Sequence, residues 1–138
     1  MPNGIKQFKY IHLLVGFAAF VAFTVTGRYM RVDFPDKDII PQDLRILMRS
    51  RHIYILFSAF IHLILGVYLT IGPERWRQVL QYFGSLLLFF ATGLFLWAFF
   101  VETYQFQHFS DISRWGIYLS LAGVGFHLIG GLGQNRER

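Results

Sequence analysis

Three histidines, His12, His62 and His127, each stand within a long apolar run that carries no Asp, Glu, Lys or Arg at its middle. An imidazole in such a setting has three uses. It can be an axial ligand to haem iron, one of several ligands to a metal, or a hydrogen-bonding group between helices. Helical rise places His12 at roughly 6 Å, His127 at roughly 9 Å and His62 at roughly 14 Å from one end of the apolar runs, so all three share one half of their length. For a b-type haem, His12 with His127 fits best on depth, and His62 with His127 comes next. Neighbouring glycines would leave room for a flat macrocycle, with Phe17, Phe20 and Phe126 as its walls. The competing reading is plain hydrogen bonding to a neighbouring helix, worth only about 1 kcal/mol and common. A three-histidine metal site lacks a nearby acid to complete it and a water path to make it catalytic, so no metal ligand is assigned.

A second concentration of chemistry opens the second apolar run. Arg45 and Arg49 are four apart and face one way on a helix, followed by Arg51 and His52. With Arg28 and Arg31 they could clamp a lipid phosphate, a carboxylate or a partner's acidic loop. Basic side chains that reach out to lipid headgroups would look the same.

The elements that must position these residues are four apolar stretches, at 8–26, 52–71, 79–101 and 112–132. Each is near the roughly 20 residues needed to cross a bilayer as a helix, and a helix satisfies its own backbone there. The expected fold is therefore all-α: a single transmembrane domain over 1–138, a four-transmembrane-helix bundle of an integral membrane protein. Composition agrees. Hydrophobic residues make up 54% and charged residues 15% of 138, against about 25% charged in soluble domains, which leaves too little polar sequence to cover four apolar helices. The net charge of +5 sits in caps and loops, where it faces headgroups, and is no nucleic-acid signature. The absence of cysteine excludes thiolate sites and covalent haem attachment.

Helical phase sharpens the picture. Gly116, Ser120, Gly123, His127 and Gly130 recur at spacings of four and three on the fourth helix, a nearly all-small face suited to close helix packing. His12, Gly16 and Ala19 share a face of the first helix, Ser58 and His62 one of the second, and Gln81, Ser85 and Thr92 one of the third. These seams are expected to face each other, with Phe and Leu outward.

Between the helices, 32–41 holds two prolines and three aspartates and reads as a loop. The segment 42–51 reads as an amphipathic turn or two on the membrane surface. Gly72-Pro73-Glu74 is a tight turn, and 102–111 is an aromatic and polar connection with Tyr104, Phe106, His108 and Phe109. The first stretch is too long for a signal-peptide core and lacks a small-x-small cleavage site, so it is expected to be retained. Lys and Arg are nearly balanced across the two sides, and the acids of the first loop tip the expectation toward termini in the cytoplasm.

Two resemblances follow from these residues. The basic start of the second helix, with Arg49, Arg51 and His52, resembles the membrane-associated eicosanoid and glutathione (MAPEG) proteins. That likeness implies a trimeric lipid- or glutathione-dependent enzyme, although the Asn and Glu that follow the basic His in that family are not matched by Tyr54 and Ser58. Thr26-Gly-Arg-Tyr-Met-Arg31, Arg49-Ser-Arg-His-Ile-Tyr-Ile55 and Gly84-Ser-Leu-Leu-Leu88 are similar to stretches of small bacterial four-helix inner-membrane proteins. This second likeness runs along most of the chain and implies a multi-pass protein of the bacterial inner membrane, without implying an activity.

No membrane carboxylate suits ion pumping, and no Ser/His/Asp set or phosphate loop is present. The leading expectation is a non-catalytic accessory, assembly or structural subunit, with membrane lipids and other membrane-protein subunits or further copies of itself as partners, and no nucleic acid. The alternatives are a small b-type haem or quinone-linked electron-transfer protein using His12, His62 and His127, and the MAPEG-like enzyme.

Overall fold

The computed structural model describes residues 3–32, 40–102 and 111–132, and every regular element among them is helical. The order is α1 (Asn3–Val32), α2 (Gln42–Tyr68), α3 (Arg75–Val101) and α4 (Asp111–Gly131). The loop residues 33–39, the segment 103–110 with His108, and the tail 133–138 lie outside the described residues.

Three helical segments, Gln7–Val32, Gln42–Tyr68 and Arg75–Val101, are long and apolar enough to cross a membrane. A helix of 27 residues reaches about 40 Å, more than a hydrocarbon core of about 30 Å. α4 is shorter, at 21 residues, and is not one of these three.

Local chemistry explains the helix starts. Pro41 sits at the N-cap of α2 with extended backbone, its carbonyl accepts from the Arg45 N–H, and Asp43 puts an acid in the first turn, where the helix dipole favours it. α2 thus begins well ahead of the apolar stretch 52–71 and takes in the segment 42–51 as its opening turns. Leu44, Leu47, Met48 and Arg51 are buried, so those turns pack into the bundle. Gln81 closes the turn between α2 and α3: its side-chain nitrogen donates to the Thr70 carbonyl and its oxygen accepts from the Gly72 N–H, at 2.8 and 3.0 Å.

α1 packs on α2 and α3 on α4 as two antiparallel pairs, which meet mainly through α2 and α3. Glycine sets the close approach within each pair. A Cβ on Gly66 would lie 2.9 Å from the backbone nitrogen of Leu13, and one on Gly16 equally close to that of Leu63. Gly84 and Gly123 face one another so tightly that a Cβ on either would stand 2.8 Å from the other's carbonyl oxygen. The apolar core of Ile55, Ala91, Phe95 and Phe99 lies toward the end of the bundle where α3 finishes, and the Phe95 ring fills the space left open by Gly116. Phe17, Phe57, Phe60, Phe90, Trp97 and Phe100 point outward.

Candidate functional site

The three histidines belong to one buried hydrogen-bonded chain that touches all four helices. His12 from α1 and His62 from α2 meet directly, with their Nδ1 atoms 2.7 Å apart. His12 Nε2 lies 2.9 Å from the Ser85 hydroxyl of α3, and that hydroxyl lies 3.0 Å from His127 Nε2 of α4. At the other end, His62 Nε2 lies 3.0 Å from the Thr92 hydroxyl, which donates to the Leu88 carbonyl. His12, His62 and Ser85 are 0–1% exposed and His127 is 9% exposed.

The proton positions follow from that last bond. Thr92 spends its hydrogen on Leu88, so its oxygen accepts from His62 Nε2–H. A neutral His62 then offers a bare Nδ1, which accepts from His12 Nδ1–H. His12 Nε2 is bare in turn and takes the Ser85 hydrogen, and the Ser85 oxygen accepts from His127 Nε2–H. Each donor meets one acceptor in a single direction. His127 Nδ1 is left as a bare acceptor with no partner among the described residues. At its far end the chain stops on a backbone carbonyl, so it offers no through path for a proton.

Phe89 covers the cluster. Its ring stacks on His62 at 5.1 Å and on His12 at 4.8 Å. Phe17 and Phe20, the expected walls of a macrocycle, are exposed instead, and Phe126 is half-buried beside Phe83. Phe89 escaped the sequence reading because nothing sets it apart among 16 phenylalanines. Its one signal is its position, four residues after Ser85 and on the same side of α3.

A haem does not fit these residues as they are arranged. Metal–imidazole bonds run at about 2 Å, so two nitrogens in contact at 2.7 Å cannot bracket an iron. Ser85 holds the facing nitrogens of His12 and His127. Among the described residues no three His, Cys, Asp or Glu side chains are grouped to hold a metal ion.

The small face of α4 is buried along its length: Gly116, Ser120, Gly123, His127 and Gly130 all turn inward. Gly123 meets Gly84, and Gly130 meets Gln81.

The arginines at the opposite end divide. Arg28, Arg31 and Arg49 are exposed and Arg45 is half-buried, whereas Arg51 is buried. Arg51 pairs with Glu102 at 3.5 Å, with both side chains enclosed. The Glu102 carboxylate also accepts from the backbone N–H groups of Ile112 and Ser113 and from the Ser113 hydroxyl, at 2.8, 3.2 and 2.6 Å. It caps the start of α4. His52 turns onto α1, with Nδ1 3.0 Å from the Thr26 hydroxyl and its ring stacked on Phe23.

Glu102 was not foreseen as a site residue because it falls just past the apolar stretch 79–101. A signal existed: an acid after the last turn of a helix opposes the dipole there, and so calls for a partner elsewhere.

Comparison of the chain with protein-family models, with curated proteins and with solved structures finds no match.

A cavity of about 340 Å³ adjoins the histidine chain. It lies between α2 and α4, which make little direct contact with each other, and its floor includes His127 and Gln81.

Proposed function

We propose that the chain is a multi-pass protein of the bacterial inner membrane, crossing it four times with both termini on the cytoplasmic side, and that it serves as a non-catalytic structural subunit of a larger membrane assembly. The observation that carries this reading is the hydrogen-bonded chain from His127 to Leu88. Polar side chains that would be catalytic candidates are spent on one another as interhelical ties, with one each from α1, α2 and α4 and two from α3. Such ties are worth about 1 kcal/mol each in a bundle that excludes water. The exposed Phe and Trp side chains suit contact with acyl chains or with a partner's helices.

The rival readings find less support. His12 and His62 hold each other instead of leaving a gap for iron, and Arg51 holds Glu102 instead of an external anion.

Extraction from native membranes with a lipid-preserving polymer, followed by native mass measurement, tests the subunit reading. The expected result is a fixed-stoichiometry complex with at least one other membrane protein. A solitary chain, released with its lipids and nothing else, overturns it.

A further inference from the structure

The cavity between α2 and α4 is a cleft with aliphatic walls. Ile61, Leu65 and Leu69 of α2 line it against Val124 and Leu128 of α4, and Leu128 is 63% exposed, on the outside of the bundle. The two buried polar side chains that line it, Gln81 and His127, offer an occupant no free group. Gln81 is committed to Thr70 and Gly72. His127 Nε2 is held by Ser85, and His127 Nδ1 is enclosed by protein. A polar head placed inside would lose its hydration without a bond in return. Water is disfavoured for the same reason, because a held water needs two or more polar partners. A hydrocarbon chain has nothing of this kind to lose.

The cleft has a polar end. Thr70, just past the last turn of α2, and Gly131, which closes α4, line it there. A cation stands at that end. Arg77, one turn of α3 before Gln81, donates to the carbonyl of Leu132, the residue after Gly131, and pairs with Glu74. Its side chain is 21% exposed and lies over the Trp76 ring at 4.9 Å. Arg75 is exposed two residues earlier, so the start of α3 carries two positive charges against the one of Glu74. Trp beside Arg is the pairing expected at headgroup depth.

We infer that this cleft holds one acyl chain of an anionic glycerophospholipid, whose phosphate meets Arg77 at the end of the bundle. In hydrocarbon the driving force is contact and not exclusion from water. An empty cleft forfeits the contacts of its lining atoms, and a flexible chain restores them. Helical rise from Ile61 to Leu69 gives the cleft about 12 Å of length. Its volume of about 340 Å³ then implies a cross-section of about 30 Å². That is narrow beside a partner's helix, which is about 10 Å across. The excess of positive charge selects an anionic head over a zwitterionic one. The inference rests on the membrane-spanning reading, because that reading places the open side of the cleft in lipid. It is independent of whether the chain has protein partners.

The test uses nanodiscs of phosphatidylglycerol and phosphatidylcholine with matched chains, in equal parts, from which the protein is released stepwise for native mass measurement. The expected result is one lipid that outlasts the rest, with phosphatidylglycerol favoured about fivefold, the worth of one basic side chain at an anionic surface. Val124→Phe fills the cleft from within and Leu128→Trp covers it from outside, where it leaves the bundle interior untouched; each is expected to remove the retained lipid. Arg77→Gln is expected to keep a retained lipid and lose the preference between heads. No lipid outlasting the others, retention undiminished in both V124F and L128W, or a preference undiminished in R77Q overturns the proposal. So does a photoreactive residue at position 128 that links to another protein, and not to lipid, in native membranes. Failure of the chain to enter nanodiscs at all would instead overturn the membrane reading beneath it.

Discussion

The Nδ1 atoms of His12 and His62 lie 2.7 Å apart, inside the protein and without water between them. Two neutral imidazoles can meet in this way only if one carries its proton on Nδ1 and the other on Nε2. Thr92 decides which, because its own hydrogen is held by Leu88. One hydroxyl on α3 thereby sets the tautomers of histidines on three helices.

That dependence makes His12 and His62 non-additive. Replacing either one by Leu strands a buried nitrogen on the other, at about 1–3 kcal/mol. Replacing both removes donor and acceptor together. The double variant His12→Leu/His62→Leu is expected to cost less than the sum of the singles, by on the order of 1 kcal/mol. Reversible unfolding in mixed micelles measures the cycle, and strict additivity would show that the two rings do not interact.

The glycines of the bundle separate into two kinds. Gly84 and Gly123 oppose each other's carbonyl oxygens, and neither backbone can yield cheaply. Gly84→Ala or Gly123→Ala is expected to push α3 from α4 and destabilise by about 1–3 kcal/mol. Gly93 and Gly125 have open space where a Cβ would go. Alanine there is expected to be neutral or to stabilise by about 0.5–1 kcal/mol, through helix propensity alone. Thermal unfolding of the four single variants gives the ordering, and equal effects at all four sites would refute the packing account.

Much of this was legible in the sequence as helical phase. Gly116, Ser120, Gly123, His127 and Gly130 fall on one side of any α-helix, so their common burial needs only a periodicity of 3.6. The four helices themselves follow from apolar length, although α2 starts earlier than its apolar stretch because Leu44, Leu47 and Met48 extend the same inward face. Phase says which side of a helix is inward. It does not say which neighbour that side meets, or at what rotation. Depth along the bundle paired His12 most closely with His127, whereas in the structure those two share Ser85 as a hydrogen-bond partner, with their rings edge to face at 6.1 Å, and it is His62 that His12 hydrogen-bonds directly. The bond between Arg51 and Glu102 was hidden for a related reason: an acid in a connection reads as solvated until the next helix is seen to start on top of it.

The arrangement of the imidazoles carries a spectroscopic expectation. Iron between two histidines needs their nitrogens about 4 Å apart, from two bonds of about 2 Å, and no pair here offers that gap without breaking the chain at Ser85 or between His12 and His62. Protein purified from native membranes is expected to show no Soret band, oxidised or reduced. A band that disappears in His12→Leu or His127→Leu would mean that the chain rearranges to take a haem.

Glu102 does two jobs, and they can be separated by substitution. Its carboxylate neutralises Arg51 and also accepts from the first N–H groups of α4. Glu102→Gln keeps a side-chain oxygen for Ile112 but removes the carboxylate charge that faces Arg51, and breaking a buried pair from one side costs about 3–5 kcal/mol. Glu102→Ala loses the cap as well, which adds about 1 kcal/mol. Removing the charge from both sides, as Arg51→Met/Glu102→Gln, is expected to restore most of the stability lost in Glu102→Gln, because an uncharged pair of similar volume needs no neutralisation. Circular dichroism during unfolding ranks the three variants. A double variant no better than Glu102→Gln would mean that the carboxylate matters as the cap of α4 and that its pairing with Arg51 contributes little.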